Sequence, residues 1–441
     1  MLSFATYLAL TAHLLGANSS EYSIPFEKYV LETNGLQVIL AHDGSLPVVA
    51  INIWYNAGPL NEPTGRSGFA HLFEHLMFQG SKYVGDDMHF KHLEAIGASS
   101  INGTTSYDRT NYFQTVPANQ LELALWLESD RMGFLRDSIT QQKLDNQREV
   151  VMNERRQRID NVPYGPSAEK VVQTLFPKEH PYHGYVIGSM KDLAAASLQD
   201  VYDFYDLYYA PSNATLVIAG DFDTTNAKAL VDQYFATLPR RNKPKPVSLA
   251  TAPLTEERRV QLEDSVQLPK IEMAWLSPSI YTQDDATCDV LAFILGAGKT
   301  SRLYQRLVYD LQIAQNVSAH QESSTLSSIF SISVTGRPGV SLEKLETELQ
   351  KVIDEIKAEM VKEREVTKAR NLLVTRIVSG LQRIGTRANI LNRYNLFRKN
   401  PDYLSSDLGR YKKVTPKALQ DLANKLLQSN QRAVIITVPK S

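Results

Sequence analysis

Cysteine is almost missing from this 441-residue chain, with Cys288 the single example. One thiol excludes an intrachain disulfide and any Cys-rich metal site, so a bound metal has to be held by His and carboxylate. Histidine is scarce as well, nine in all, which gives weight to how those nine are spaced. Neither charge is in surplus: 47 Lys+Arg stand against 48 Asp+Glu, for a net charge of −1. That balance excludes a strongly basic nucleic-acid binder as the default, and no nucleic-acid partner is expected. Beyond the N-terminus no segment reaches the roughly 18 uninterrupted apolar residues of a membrane span, so none is expected. What remains, 43% hydrophobic and 22% charged with 22 Gly and 20 Pro, suits two or three globular domains.

The N-terminus differs from the rest. Leu2–Gly16 (LSFATYLALTAHLLG) is apolar and has the length of a signal-peptide core, with small residues at Ala17-Asn18-Ser19 for cleavage. Residues 1–19 are therefore read as a signal peptide, and an exported protein, periplasmic or secreted, is expected. The alternative is a buried N-terminal helix in a cytoplasmic protein, since no Lys or Arg precedes the apolar run.

Leu238–Val247 (LPRRNKPKPV) holds three prolines and four basic residues, which suits an extended, solvated connector rather than a regular element. The halves on either side are alike. Leu198–Tyr209 reads as a helix, turns at Pro211-Ser212-Asn213 and enters a strand at Ala214–Ala219. Leu419–Leu427, Ser429-Asn430 and Ala433–Val438 repeat that unit. Each half opens on β-rich sequence, Leu36–Leu40 and Val48–Tyr55, then Arg259–Leu262 and Ile271–Trp275. Helical runs follow at Gln120–Arg131, Gln141–Ile159, Leu342–Met360 and Glu363–Ser379. The expectation is an α+β fold of two duplicated domains, each a mixed or antiparallel sheet with helices packed on it.

The sharpest motif is His71-Leu72-Phe73-Glu74-His75. On a helix, residues four apart share a face, so His71 and His75 aim two imidazoles at one point with Glu74 beside them. Two neutral His, a further carboxylate and an open position make a catalytic zinc site, in which a glutamate serves as base for water attacking a carbonyl. The third ligand is expected on Gln141–Ile159, where spacing leaves Glu149 and Glu154 as equal candidates.

With Glu154 lying 79 residues beyond His75 in Asn153-Glu154-Arg155-Arg156, the pattern resembles the pitrilysin/insulinase family of inverted-motif zinc metallopeptidases. Gly97-Ala98 through Asn102, Asp108–Tyr112, His180-Pro181-Tyr182, Gly296-Ala297-Gly298 before Ser301-Arg302-Leu303, and Asn400–Leu404 add to the likeness. It runs from about Tyr29 to Val438 and is nearest to compact bacterial members related to mitochondrial processing peptidases. The resemblance implies one Zn²⁺ per chain on His71, His75 and Glu154, with Glu74 as general base. It implies a catalytic domain over 20–240, a linker over 241–255 and a metal-free homologous domain over 256–441. It also implies that Ser99–Thr105 is an edge strand to which an extended peptide adds, with Ser99, Asn102 and Thr104 as substrate-binding residues. The function implied is a zinc endopeptidase of unfolded peptides.

Two departures qualify the likeness. Many relatives carry a glutamate seven residues before the third ligand, where this chain has Gln147, which can support by hydrogen bond but not by charge. Active relatives also use an Arg and a Tyr, seven apart, to hold the substrate carbonyl, where this chain has Val308 and Gln315. A related subunit supplying that pair in a heterodimer, or a homodimer, is therefore expected, and a catalytically silent binding or assembly subunit is the alternative.

Other signals receive blander readings. His180 and His183 flank a proline turn; His89 and His92 sit on a helix, Asp87–Ile96, read as partly exposed; Arg155, Arg156 and Arg158 read as a solvated face. Gly298-Lys299-Thr300 lacks the earlier glycine of a phosphate loop, Phe293 standing there. Cys288 reads as a small buried residue.

Overall fold

The computed structural model describes residues 22–440; the expected signal peptide lies outside the described residues. Two sheets organise the chain. The first has six strands, β1 (Glu27–Val30), β2 (Gln37–His42), β3 (Val48–Tyr55), β4 (Ser99–Ser106), β5 (Arg109–Pro117) and β6 (Ala214–Gly220), in the order β1-β2-β6-β3-β5-β4. The second has five, β7 (Arg258–Asp264), β8 (Lys270–Ser277), β9 (Ala314–Glu322), β10 (Ser328–Gly336) and β11 (Arg432–Pro439), in the order β7-β11-β8-β10-β9. In each sheet one pair is parallel, β2 with β6 and β7 with β11, and the others are antiparallel. Apart from β1 the two match strand for strand, which is the expected duplication of an α+β unit.

The helices follow the same plan. Between β3 and β4 lie α1 (Phe69–Leu76) and α2 (Met88–Ala95). Between β5 and β6 lie α3 (Leu121–Phe134), α4 (Gln141–Arg155), α5 (Gly165–Leu175), α6 (Met190–Ala195) and α7 (Leu198–Tyr208), with α8 (Thr224–Phe235) after β6. In the second half α9 (Gln283–Gly296) sits between β8 and β9. Five more helices, α10 (Leu342–Ala358), α11 (Glu363–Gly380), α12 (Ile384–Arg398), α13 (Leu404–Lys412) and α14 (Pro416–Leu426), sit between β10 and β11. Residues 239–254 carry no regular element, as the prolines of that stretch dictate.

The halves are not separate in space. Strand β3 is buried along nearly its whole length, so both of its faces need cover. Val49, Ile51, Ile53 and Tyr55 face the helices of the first half. The opposite face, with Ile39, Ala50 and Val217, is covered by Ala388 and Leu391 of α12 from the second half. In return α5 of the first half lays Val171, Val172 and Leu175 on Ala274, Ala433 and Ile435 of the second sheet. Polar groups fix the exchange: Asn392 Nδ2 donates to Asn52 O at 2.9 Å, and Asn395 Nδ2 to Thr215 Oγ1 at 2.9 Å. The hairpin turns meet as well. Buried Asp108 accepts from the Tyr182 hydroxyl and, at 3.0 Å, from Thr325 N, while Leu326 N donates to Tyr182 Oη at 3.2 Å.

Candidate metal centre

Helix α1 is short, and its start is held from three sides. Gly68 has φ +85°, and a Cβ there would meet Gly188 Cα at 2.5 Å, so only glycine permits the approach. Glu62 accepts from Gly68 N at 3.1 Å and Ala70 N at 2.8 Å, satisfying donors that a helix start leaves open. Asp192 accepts from Ser67 N and Oγ at 3.1 and 2.5 Å. Phe69, Ala70, Leu72, Phe73 and Leu76 bury the apolar stripe, so the helix presents His71 and His75 on its remaining face.

Helix α4 crosses that face. His75 Nε2 lies 3.2 Å and His71 Nε2 3.9 Å from the same atom, Glu154 Oε2. One ligand atom from each of the three residues falls within 4.8 Å of the others. Two ligands each about 2.1 Å from a tetrahedral zinc stand roughly 3.4 Å apart, so the spacing and the N₂O donor set both fit that ion. Burial and the neighbouring His75 push the His71 imidazole down to about 4, which keeps its lone pair free for a metal. The hydrogen bond with His75 holds the Glu154 carboxyl below the usual range. Arg158 takes the other oxygen, Oε1, at 2.6 Å. Immediately after Glu154 and Arg155 the helix widens into a π turn over Arg156–Asp160, where the continuous helix expected to Ile159 breaks.

Glu74, 8% exposed, sits between this trio and β4. Thr105 Oγ1 donates to Glu74 Oε2 at 2.6 Å, and burial raises the Glu74 carboxyl above its ordinary range. A Cβ on Gly103 would meet Glu74 Cγ at 2.9 Å, so a glycine there leaves room for the carboxylate. Neither Gly103 nor Thr105 stands out in the sequence. Their link to Glu74 depends on two strand residues, two apart, sharing the face that α1 covers.

The other expected residues fall as follows. Glu149 is exposed, while Gln147 is buried on α4. Strand β4 is an edge strand. Asn102 pairs with Phe113 and Thr104 with Asn111, which turns their side chains to the face away from Glu74; Asn102 is exposed and the Thr104 hydroxyl is bonded to Asn111. Ser99 lies beyond a register shift and outside the lining of the metal cavity. That cavity, about 570 Å³, joins His71, Glu74, His75 and Glu154 to β4 and to Glu272, Glu322, Ile329 and Ser331 of the second sheet. Val308 is buried in the second core and Gln315 is exposed on β9. Among the described lining residues Arg158 is the one Lys or Arg.

Two blander readings need correction. His89 is 3% exposed rather than on a partly exposed face, its ring edge-on to Phe78 at 5.6 Å. Arg155 is buried rather than solvated: it pairs with Glu169 at 2.6 Å and Asp160 at 3.3 Å and donates to Gly188 O, bracing the glycine that abuts α1. His180 and His183 serve the turn, through Tyr182 N at 3.0 Å and Phe176 O at 2.8 Å. Cys288 is buried.

Two family models cover most of the chain: insulinase (peptidase family M16) over residues 37–180 and the M16 inactive domain over residues 195–373. The chain belongs to the M16 insulinase family. It is 28% identical to the zinc protease PqqE of Helicobacter pylori, across 100% of this chain and 98% of that protein. A zinc protease of Mycobacterium leprae is 24% identical over 91% of this chain and 89% of its own length. The crystal structure of a protease from H. pylori superposes with a TM-score of 0.87 at 26% identity, covering 95% of this chain and 100% of that one. The periplasmic protease PqqL of Escherichia coli shares the fold, at a TM-score of 0.77 and 17% identity, with 94% of this M16 chain matching 47% of that longer one. Among the described residues no helix is long and apolar enough to cross a membrane.

Proposed function

We propose that this M16 protein is a zinc-dependent endopeptidase acting on extended, unfolded peptides. The observation that carries the reading is the convergence of His71, His75 and Glu154 on one point with Glu74 buried beside it. A zinc ion held by those three side chains supplies Lewis acidity toward a scissile carbonyl and toward water. Glu74, its carboxyl raised by burial and oriented by Thr105, takes the proton of the attacking water and hands it to the leaving amine. The free edge of β4 offers main-chain donors and acceptors to a peptide, which favours extended chains over particular side chains.

The cavity offers little cationic support for a developing oxyanion, since Arg158 is already paired with Glu154. A second subunit, related or identical, supplies it in this reading and closes the chamber. The match to about half of a longer chain of the same fold supports treating this one as a half-molecule. Leu2–Gly16 supports export. The second reading, a silent assembly subunit, draws on Gln147, Val308 and Gln315.

The test is metal content before and after a chelator, with cleavage of an unstructured quenched peptide by the chain alone and with a candidate partner. Stoichiometric zinc and chelator-sensitive cleavage are expected. Zinc without cleavage in any pairing would leave the assembly role.

A further inference from the structure

Behind β4, on the face opposite Glu74, lies a larger cavity of about 740 Å³ between the first sheet and the start of α12. Its charged lining consists of Arg109, Arg383, Arg387 and Asp43. Arg387 pairs with Asp43, while Arg109 and Arg383 make no direct ion pair among the described residues, the carboxylates of Glu74 and Asp108 acting on Arg109 at longer range. Arg109 Nη1 donates to the neutral acceptors Thr104 O at 2.7 Å and Asn111 Oδ1 at 2.8 Å, with the Trp54 ring 4.8 Å from the guanidinium. Burial, helped by the neighbouring Arg393, pushes the Arg109 guanidinium down to about 10 against the opposing charges of Glu74 and Asp108. Arg383 is exposed at the N-cap of α12, where its side chain makes no capping bond. The helix start adds positive potential of its own. The metal cavity is opposite in sign: Glu74, Glu154, Glu272 and Glu322 line it against Arg158.

Strand β4 divides the two spaces. Ser99, Ser100 and Thr104 border the rear cavity, and Asn102 to Thr105 border the metal cavity. A peptide laid along this edge turns successive side chains to alternate faces. Every second residue therefore meets the rear cavity, and its neighbours meet the metal side.

We infer that the rear cavity is a carboxylate subsite, lined by Arg109 and Arg383, for a peptide paired to β4. The inference rests on the edge-strand docking of the proposed function and adds a substrate chemistry to it. The carboxylate comes either from an Asp or Glu side chain or from the peptide's C-terminus.

The experiment reads binding rather than cleavage. Fluorescence anisotropy gives Kd for labelled peptides of about ten residues on the Glu74→Gln protein. Single Gln→Glu replacements are walked along the peptide, each made with a free and an amidated C-terminus. Glu at alternate positions is expected to tighten binding about tenfold over Gln, with little effect at the positions between. If the C-terminus is the source, amidation weakens binding instead and internal Glu has no effect. Arg109→Gln and Arg383→Gln should each bring the Glu-to-Gln ratio toward one. Arg383 is exposed, so its variant keeps the test readable should Arg109→Gln fail to fold. Equal affinities at every position with no effect of amidation would overturn the inference. So would an even preference at all positions, or one that survives Arg383→Gln. Peptides bound with this preference but left intact by the unmodified protein would count against the endopeptidase reading alone; peptides cleaved with no carboxylate preference would count against the subsite alone.

Discussion

Thr105 Oγ1 donates a 2.6 Å hydrogen bond to Glu74 Oε2, tying the proposed base on the metal helix to the edge strand beside it. Burial raises the Glu74 carboxyl, and this bond opposes the rise by favouring the charged form. Glu74 must be ionised to accept a proton, so activity falls as pH drops through its pKa. Thr105→Val removes the opposing bond, and the acid limb of the kcat/KM profile is expected to move to higher pH with zinc content unchanged. A profile that keeps its acid limb would mean that Thr105 does not set the state of Glu74. Glu74→Gln is expected to keep the metal and lose about 10²- to 10⁴-fold in kcat.

Glu154 and Glu149 lie on the same helix and are separated by structure rather than by spacing. Glu154 Oε2 is within 3.9 Å of both imidazoles, whereas Glu149 is exposed. Removing a ligand costs the metal, so Glu154→Ala should hold close to no zinc after dialysis and Glu149→Ala about one equivalent. Atomic absorption decides it, and full occupancy in Glu154→Ala would remove that residue from the metal site.

A methyl group at position 103 would stand 2.9 Å from Glu74 Cγ, closer than two carbons can pack. Gly103→Ala is therefore expected to displace the Glu74 side chain and lower kcat by about tenfold or more, because misplacement of the order of an ångström is costly in an oriented site. Zinc content should stay as it was. An unchanged kcat would show that the carboxylate has slack at this wall.

Much of this was legible because it is periodic or local. The i, i+4 histidines stack on one face whatever surrounds them, and the repeated helix–turn–strand ending of each half announces the duplication. What stayed hidden depends on contacts distant in sequence. Nothing in Ala388 or Leu391 says that α12 covers the other half's sheet, since an apolar stripe does not name its partner. Arg155 looks like one more charge in Arg155-Arg156-Arg158, yet the π turn and Glu169 make it a buried strut. Asn102 shows the same limit: its strand is recognisable, but the pleat that turns its side chain from Glu74 is set by pairing with Phe113.

That buried strut yields a stability prediction. Arg155 serves Glu169, Asp160 and Gly188 O at once, so Arg155→Ala leaves two carboxylates without their shared cation. A loss of about 3 kcal/mol is expected from urea unfolding. Because Gly188 abuts Gly68 at the start of α1, zinc affinity should weaken as well. Arg156→Ala, at an exposed position, serves as the control and should change neither. Equal effects from both variants would return Arg155 to the solvated face.

The two hairpins meet at a single buried carboxylate. Asp108, 5% exposed, joins Tyr182 to Thr325 N, and Tyr182 Oη in turn receives Leu326 N. Asp108→Ala takes the acceptor from the buried Tyr182 hydroxyl and from the part-buried Thr325 amide, and should destabilise by about 1–3 kcal/mol. Tyr182→Phe removes the hydroxyl from the same network, so the two changes should not add, and a double-mutant cycle should return a coupling of about 1 kcal/mol. Since Tyr107, next to Asp108, lines the metal cavity, loosening the hairpin should raise KM for long peptides more than it lowers kcat. Additive energies would show that Asp108 and Tyr182 stabilise the junction independently of one another.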